Sequence, residues 1–558
     1  MASPLLLGPM LRYVDEASAS IWVETRADCL VSVHAEGRSW QARSFSVHGH
    51  HFALVEVDGL EPGSVSPYGI EIDGVSVWPD PDSEFPASVI ATRAPGRRPR
   101  IAYGSCRTSV PHDRAGNRTH GVDSLRAFAL AVAGGRQARP DLLLLLGDQV
   151  YADSTTKEMQ AFIRSRRDIH QEPGRELKDF EEYAHLYQLA WSDEANRWLL
   201  SCVPTAMIFD DHDIRDDWNA SLDWRRKMEA TSWWHERIVA GLASYWVYQH
   251  LGNLSPRERA ADPLWQRVTG RHDAAPVSVD LSAALDEFAD RCNQDPHSYR
   301  WSYCRGFDGS RLIVLDSRVA RDLTPSARGL LNAQELAWFD EQMQGGFRHV
   351  FIATSLPFLL PLGLHHVEAW DEAIAQGAWG RPVARVGERL RQAVDLEHWA
   401  AFQNSFQAVA GIATELADGD RGPSPLTVTF LSGDVHFSYL AEVERHNGSR
   451  IVQAVCSPIR NPLPRFLRWF SVVMSYGAAT PLGAAAAHSA KVPDPPFRWK
   501  TVKGPWFDNN LALLQDGPDG LTMTWHTGVV EDGDELHPRL EEVASITVPA
   551  KRDADLSS

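Results

Sequence analysis

Short apolar runs that stop abruptly at polar residues dominate the chain after about residue 100. The clearest is a run of five leucines at residues 142–146, bounded by Pro140 and Gly147. This run is too short for an ordinary helix and has no solvent-facing position, so it predicts a strand buried on both faces. Asp148 and Tyr151 follow its carboxyl end, where ligands bind in open α/β sheets. They are the first candidates for a functional site.

Five other apolar runs stop in the same way. They reach polar residues at positions 104–106, 210–213, 316–318, 354–355 and 432–436. Helical segments are predicted between them, at residues 157–169, 178–200, 223–250 and 386–416. Residues 252–296 have weak periodicity and many charges, which indicates a surface insertion. This alternation predicts an α/β domain whose strands bring their polar ends to one rim.

The first 80 or so residues have a different pattern. Apolar and polar positions alternate with a period of two, and glycine-containing turns separate the runs. This predicts a small antiparallel β-sandwich, and the turn at residues 58–63 before Tyr68 resembles fibronectin type III or immunoglobulin-like domains. A proline-rich stretch follows. We predict four parts: an N-terminal β-sandwich at 1–79, a linker at 80–99, a large α/β domain at 100–540 and a C-terminal tail at 541–558.

Composition and charge reduce the number of function classes that fit the chain. The 558 residues carry a formal net charge of -18, which argues against nonspecific nucleic-acid binding but leaves a local basic pocket open. The N-terminus has neither the basic region nor the apolar core of a signal peptide, so we expect a cytoplasmic protein. Residues 466–490 lean apolar but contain polar residues, so they predict a partly buried helix and a loop rather than a membrane span. The oligomeric state stays open.

The polar strand ends supply many side chains of the kinds that bind metal ions. The candidates are Cys106, Asp148, Tyr151, Asp211, Asp434 and His436. Singly, Cys106 is typical of a buried thiol and Tyr151 of a packed aromatic residue. Together, the oxygen, nitrogen and sulfur donors suit two cations that share one carboxylate, and Asp148 ends the most deeply buried strand. Asp148 is therefore the predicted bridge.

Four ordered motifs carry a family resemblance. They are Gly-Ser-Cys at 104–106, Gly-Asp-Gln-Val-Tyr at 147–151, Asp-Asp-His-Asp at 210–213 and Gly-Asp-Val-His at 433–436. In this order they resemble the alkaline phosphatase D family of metallophosphoesterases and, more distantly, the purple acid phosphatases and the calcineurin-like superfamily. The resemblance covers about residues 100–530. It implies an α/β fold in which two facing sheets are flanked by helices, a four-layer metallophosphoesterase sandwich.

The resemblance also implies the cofactors. Fe³⁺ would be held by Cys106, Asp148, Tyr151 and His436. A second ion, expected to be Ca²⁺, would be held by Asp148, Asp211 and Asp434. The family's third motif often continues with an asparagine, whereas this chain has Asp216, Asp217 and then Asn219. The remaining ligand of the second ion, other divalent ions and a site larger than dinuclear therefore stay open.

Such a centre predicts hydrolysis of phosphate monoesters or diesters by a metal-bridging hydroxide. His212 is the expected general acid and Asp213 its orienting partner. Arg107, Arg215, His365 and His366 are further candidates for contact with a small-molecule phosphate ester, because arginine forks suit phosphate oxygens and loops often carry binding residues. The segments at 252–296 and 364–384 are expected to shape the substrate pocket.

Two other classes of function remain. A non-catalytic binding or scaffold protein could retain the fold and a structural metal, but every main ligand position is filled. An iron oxygenase would use two histidines and one carboxylate, which the nearby cysteine and tyrosine match poorly.

Overall fold

The computed structural model describes residues 3–270, 278–325, 327–393, 396–464, 468, 479–518 and 520–549. Its strands are β1 Leu5–Val14, β2 Ala19–Thr25, β3 Leu30–Ala35, β4 Arg38–Arg43, β5 Phe45–Val47, β6 His50–Val57, β7 Val65–Ile72, β8 Val75–Trp78, β9 Val89–Ala91, β10 Arg100–Gly104, β11 Leu142–Leu146, β12 Thr205–Ile208, β13 Tyr303–Phe307, β14 Ser310–Leu315, β15 His349–Thr354, β16 Thr427–Ser432, β17 Ser438–Val443, β18 Arg450–Val455, β19 Trp499–Trp506, β20 Leu511–Gly517, β21 Gly520–Val529 and β22 Arg539–Pro549.

The helices alternate with these strands after residue 100. They are α1 Arg114–His120, α2 Ser124–Ala133, α3 Lys157–Arg166, α4 Phe180–Trp191, α5 Glu194–Cys202, α6 Leu222–Glu229, α7 Trp234–Tyr245, α8 Pro256–Ala261, α9 Pro263–Thr269, α10 Ser282–Gln294, α11 Ala333–Gln342, α12 Leu362–Ala375, α13 Arg381–Ala393, α14 Gln403–Asp418 and α15 Ala479–Ser489. A π-helical turn, Trp246–His250, continues α7. The domain is therefore mixed α/β, as predicted.

The N-terminal region is all-β, as predicted. One sheet has the order β1-β2-β6-β5, and the other has β4-β3-β7-β8 with β9 paired to β7. Alternate side chains such as Ile21, Val33 and Val55 share an apolar cluster, as expected of two sheets that bury one face each. The β9 pairing shows that the linker predicted at 80–99 is wrong in part, because residues 89–91 make ladder hydrogen bonds with this region.

Strand β11 is buried on both faces, which confirms its prediction. It lies between β10 and β12 in a six-stranded sheet of order β12-β11-β10-β20-β21-β22. β10, β11 and β12 run parallel, so their carboxyl ends share one edge. Leu142, Leu144 and Leu146 enter one apolar cluster, and Leu143 and Leu145 enter another. This alternation is what a strand covered on two sides requires.

A seven-stranded sheet packs against this one. Its order is β13-β14-β15-β16-β18-β17-β19, with β14, β15, β16 and β18 parallel. Side chains of both sheets, including Leu144 and Phe351, form a shared cluster. Helical residues such as Phe128 of α2 pack with the other face of β11, and Phe406 of α14 packs with the other face of the seven-stranded sheet. The parallel strands of both sheets thus end near one another.

Several predicted segments differ from the structure. The helix predicted at 178–200 is two helices, because Asp193 caps α5 by accepting the Asn196 N–H at 3.0 Å. The segment predicted as a surface insertion at 252–296 contains α8, α9 and α10, and Phe288 of α10 is buried. The pocket segment at 364–384 is mostly helical, in α12 and the start of α13.

The C-terminal part also differs. The tail predicted at 541–558 begins inside β22, which pairs with β21 through Val529 and Arg539 at one end and Gly520 and Pro549 at the other. Part of the segment predicted as a helix and loop at 466–490 lies outside the described residues, and 479–489 is helix α15 rather than loop. None of the described helices is long and apolar enough to cross a membrane.

Candidate metal centre

The carboxyl ends of strands from both sheets are joined by hydrogen bonds. Cys106 donates its backbone N–H to Gly147 O at 3.2 Å. Across the sheets, the Asp434 N–H donates to Ser105 Oγ at 3.1 Å. Gly433 lies so close to Ser105 that a Cβ atom there would collide with its side chain, so this approach requires glycine. The polar ends of β10, β11 and β16 therefore meet, as predicted.

Four of the predicted metal ligands have left-handed backbone conformations. The φ angle is 57° at Cys106, 50° at Asp148, 65° at Asp434 and 56° at His436. Non-glycine residues rarely adopt positive φ, and such conformations concentrate at functional sites where the surrounding structure holds them. The turns after β10, β11 and β16 thus orient these side chains at a local cost in backbone energy.

Three groups of side chains bring ligand atoms within 4.8 Å of one another. The groups are Cys106 with Asp148 and His436, Asp148 with Asp211 and His212, and Asp210 with Asp211 and Asp434. Asp148 and Asp211 each belong to two groups, a placement that suits a carboxylate shared by two cations. Of the predicted ligands, only Tyr151 lies outside these groups of acidic, histidine and cysteine residues. Its hydroxyl lies 3.4 Å from Asp148 Oδ2.

The electrostatics of these groups fit cations. Burial raises the pKa of Asp148, and the nearby carboxylates of Asp210 and Asp211 raise it further. Asp148 Oδ1 and Asp210 Oδ2 are buried and have no hydrogen-bond partner among the described residues. Buried carboxylates are normally paired or bound to metal. The donor set therefore fits metal ions at this position.

The soft donor also fits a metal. Cys106 is fully buried, and burial together with Asp148 and Asp434 raises the pKa of its thiol. Its Sγ atom lies 3.3 Å from Ser457 Oγ. Burial also lowers the pKa of His436 to about 4, which favours the neutral imidazole that ligates metal. A bound cation would reverse the shift at Cys106, because a coordinated thiol is deprotonated.

His212 is oriented by Asp153 and not by Asp213, so that part of the prediction is wrong. His212 Nδ1 lies 3.0 and 2.9 Å from the two carboxylate oxygens of Asp153. The Asp213 carboxylate instead accepts backbone N–H bonds from Asp148 at 3.0 Å and Asp210 at 2.9 Å. Asp213 thus fixes the two turns, whereas Asp153 fixes the histidine ring.

The two arginines that were predicted to contact the substrate form ion pairs with other residues of the protein. Arg107 is buried, and its guanidinium donates to Asp123 Oδ2 at 2.8 and 3.0 Å. Arg215 donates to both oxygens of Glu176, at 3.0 and 3.2 Å. Both side chains form internal ion pairs, with Asp123 and Glu176 respectively.

Neither of the paired histidines of α12 belongs to the three groups of ligand atoms. His365 is buried against Phe406 and Trp499, with ring centroids 4.8 Å from each, and burial lowers its pKa to about 3. His366 packs close to Gly483 of α15, and burial lowers its pKa. His365 is therefore a core residue, contrary to its predicted role at a substrate pocket.

Three residues at the centre were not among the predicted ligands. Asp210 supplies a ligand atom to the third group, and its doubling with Asp211 in the sequence was the available signal. Arg318 is fully buried and pairs with Asp210, Asp211 and Glu397. His398 lies 2.8 Å from Asp434 Oδ2 through its Nε2 atom. No motif surrounds His398, so the chain pattern could not reveal it.

Comparison with known proteins gives a domain match for the N-terminal region and a fold match for nearly the whole chain. Residues 2–90 match a domain of unknown function (DUF7800). A solved structure of PhoD has a TM-score of 0.59 at 14% identity, covering 99% of this chain and 91% of that chain, which shows a common fold. A type III pullulan hydrolase from Thermococcus kodakarensis, at 9% identity over 98% of this chain and 97% of that one, has a TM-score of 0.14 and supports no argument. No curated protein matches the chain.

The remaining match covers more than half of the chain. Residues 125–465 match the PhoD-like phosphatase family, and this range includes Asp148, Asp211, Asp434 and His436. The resemblance carried by the four motifs is thereby confirmed. The chain belongs to the PhoD-like phosphatase family of metal-dependent hydrolases.

Proposed function

We propose that this protein hydrolyses phosphate monoesters or diesters at a dinuclear metal centre built around Asp148. The observation that carries the proposal is the position of Asp148 in two ligand groups, with one buried oxygen that lacks a hydrogen-bond partner among the described residues. A carboxylate with that placement suits the bridge between two cations.

The metals proposed are Fe³⁺ and Ca²⁺. Cys106, Tyr151 and His436 would hold the ferric ion with Asp148, because thiolate, phenolate and imidazole donors suit a transition metal. Asp211 and Asp434 would hold Ca²⁺ with Asp148, because hard carboxylate oxygens suit that ion. Asp210 is a further candidate for the second ion. When bound, the cations would polarise the phosphoryl oxygens and activate a water molecule.

His212 and Asp153 would supply the proton. Asp153 holds Nδ1, which leaves Nε2 to donate to the leaving oxygen. The water oxygen forms a new bond to phosphorus, and the ester P–O bond breaks. The leaving oxygen takes the proton from His212 Nε2, the water releases a proton to solvent, and solvent restores the histidine. An alcohol and a phosphate, or a phosphate monoester from a diester, are the products.

Turnover of two chromogenic substrates tests the proposal. The full chain is depleted of metal, reconstituted with Fe³⁺ and Ca²⁺, and assayed with p-nitrophenyl phosphate and bis-p-nitrophenyl phosphate. We expect hydrolysis of at least one substrate, and we expect Asp148→Asn to abolish it. Absence of hydrolysis by metal-loaded protein would reject the enzyme and favour the binding or scaffold role. The ratio of the two rates would assign the monoester or diester preference.

A further inference from the structure

Glu368, His398 and Asp434 form a hydrogen-bonded row that leads from helix α12 to the metal centre. Glu368 Oε1 lies 2.7 Å from His398 Nδ1. His398 Nε2 lies 2.8 Å from Asp434 Oδ2. Glu368 is fully buried and His398 is almost so. Each nitrogen of the imidazole ring is therefore engaged by a carboxylate.

The backbone at His398 is anchored from both sides. The preceding residue, Glu397, forms ion pairs with Arg318 and Arg321, both of which are fully buried. The following residue, Trp399, packs edge-on against Phe358 with ring centroids 5.2 Å apart. The backbone that carries the imidazole is therefore held in place, and the hydrogen bond with Glu368 fixes the rotation of the ring.

The two oxygens of Asp434 face different surroundings. Oδ2 accepts the hydrogen bond from His398, whereas Oδ1 lies 3.9 Å from Arg318 Nη2. Asp434 also contributes an oxygen to the group formed with Asp210 and Asp211. The hydrogen bond from His398 thus constrains how the carboxylate is turned toward that group.

A purely structural role for Glu368 leaves one observation unexplained. Its Oε2 atom is buried without a hydrogen-bond partner among the described residues. Burying a charged group with an unsatisfied oxygen is costly for stability, and structural carboxylates normally satisfy both oxygens. An effect on Asp434, at the end of the row, gives Glu368 a role, because partners behind a metal ligand orient that ligand.

We propose that Glu368 and His398 are positioning residues that hold Asp434 for cation binding. This inference rests on the proposed function, since Asp434 is assigned there to the second ion. It adds helix α12 to the metal centre and assigns to His398 a role that no motif of the sequence indicates. Loss of an outer partner of this kind typically weakens metal binding about 10- to 100-fold.

Calorimetric titration of chelator-treated full-length protein with Ca²⁺ tests the proposal. We expect the dissociation constant to rise about 10- to 100-fold in His398→Ala. Glu368→Gln should give a smaller rise, because its side chain keeps the shape but loses the charge. His398→Gln should restore part of the affinity, because its amide can still donate to Asp434. His398→Gln also tests the proposal if His398→Ala fails to fold.

Glu372→Gln is the matched control. Glu372 lies one turn further along α12 and is also a buried carboxylate, but it pairs with Arg328 and Arg391 instead of His398. We expect this variant to lose stability while it keeps the affinity for Ca²⁺. Equal weakening by Glu368→Gln and Glu372→Gln would overturn the proposal, as would unchanged affinity in both His398 variants.

Parallel assays separate this inference from the proposed function. If the wild type binds Ca²⁺ and hydrolyses neither chromogenic ester, the proposed function fails, and the order of affinities still decides the positioning role. If the wild type binds and hydrolyses but the His398 variants bind alike, only the positioning role is overturned. A wild type that binds no cation would overturn both.

Discussion

His212 combines burial with two nearby carboxylates. Burial lowers its pKa, but Asp153 and Asp211 outweigh burial and hold the pKa well above the usual value. The charged imidazole is therefore favoured, and its Nδ1 atom is held by Asp153. A ring in this state can donate a proton from Nε2 without turning. A nitrogen of the same ring also lies within 4.8 Å of ligand atoms of Asp148 and Asp211, so proton transfer and coordination are distinct hypotheses for His212.

Substitution of His212 separates these two hypotheses. We expect His212→Ala to lower kcat about 10²- to 10⁴-fold, as for loss of a general acid, while the metal content stays near that of the wild type. Asp153→Asn should lower kcat in the same direction, because it removes the charge that holds Nδ1. Metal content is measured by mass spectrometry after gel filtration. Loss of metal together with activity would make His212 a ligand.

The proposed thiolate and phenolate ligands predict colour. A ferric ion bound by Tyr151 or Cys106 should give a visible charge-transfer band. The band should shift or disappear in Tyr151→Phe and in Cys106→Ser, as seen by absorption spectroscopy of iron-loaded protein. Cys202→Ser is a control, because Cys202 is also a buried free thiol but lies outside the ligand groups. A colourless loaded protein would remove both residues from the ligand set.

At the scale of elements, strand β11 both stabilises the core and positions a residue of the metal centre. Its five leucines are each at most 1% exposed and divide between two apolar clusters. Asp148 follows directly after Gly147, whose φ of 98° suits glycine. A Cβ at Gly147 would lie 2.6 Å from the Asp210 Cβ atom. Packing of the strand and the tight turn together fix where Asp148 enters the centre.

The packing of β11 predicts a large stability loss on truncation. Leu144→Ala should lower the free energy of unfolding by about 2–5 kcal/mol, because its side chain is fully buried between the two sheets. Denaturant unfolding followed by circular dichroism measures the change. Val65→Ala, at a position 56% exposed on β7, should change the free energy by less than about 0.5 kcal/mol. A similar loss for both variants would contradict the assigned burial of β11.

At the scale of the whole molecule, the N-terminal strands share a core with the α/β domain. Trp22 of β2 is fully buried and contacts Trp191 of α4 at a centroid distance of 6.5 Å and Tyr248 at 5.4 Å. Arg12 of β1 donates to Tyr248 O at 2.8 Å and Gln249 O at 2.5 Å. The two regions are thus joined by apolar contacts and by buried hydrogen bonds.

This shared core predicts coupled unfolding. Trp22→Ala should lower the free energy of unfolding by about 3–5 kcal/mol. The temperature at which hydrolysis is lost should fall together with the unfolding temperature. Thermal scans followed by circular dichroism and by residual activity check this. Trp40 is partly exposed on β4, outside the shared cluster, so Trp40→Ala should leave the inactivation temperature close to that of the wild type. If Trp22→Ala lowered the temperature of the circular dichroism transition but not the inactivation temperature, the two regions would unfold separately.

The sequence alone determined the α/β class, the buried strand β11 and the family. Buried strands need unbroken apolar runs and sharp polar ends, and these features are local in the chain. The positions of Asp148, Asp211 and Asp434 followed from such strand ends. The closeness of Asp148 and Asp211 followed from the rule that parallel strands of one sheet end at one edge, whereas Asp434 follows β16 of the other sheet.

Only the tertiary structure decided which side chains meet across the sheets. Hydrogen bonds join Asp153 to His212, His398 to Asp434, and Glu368 to His398. Glu368 and His398 lie 30 residues apart, and His398 and Asp434 lie 36 apart. Neither pair belongs to a repeat, a motif or a helical spacing. Their contact depends on how α12 and the described segment at 396–402 pack on the seven-stranded sheet, and such long-range packing leaves no periodic trace in the chain.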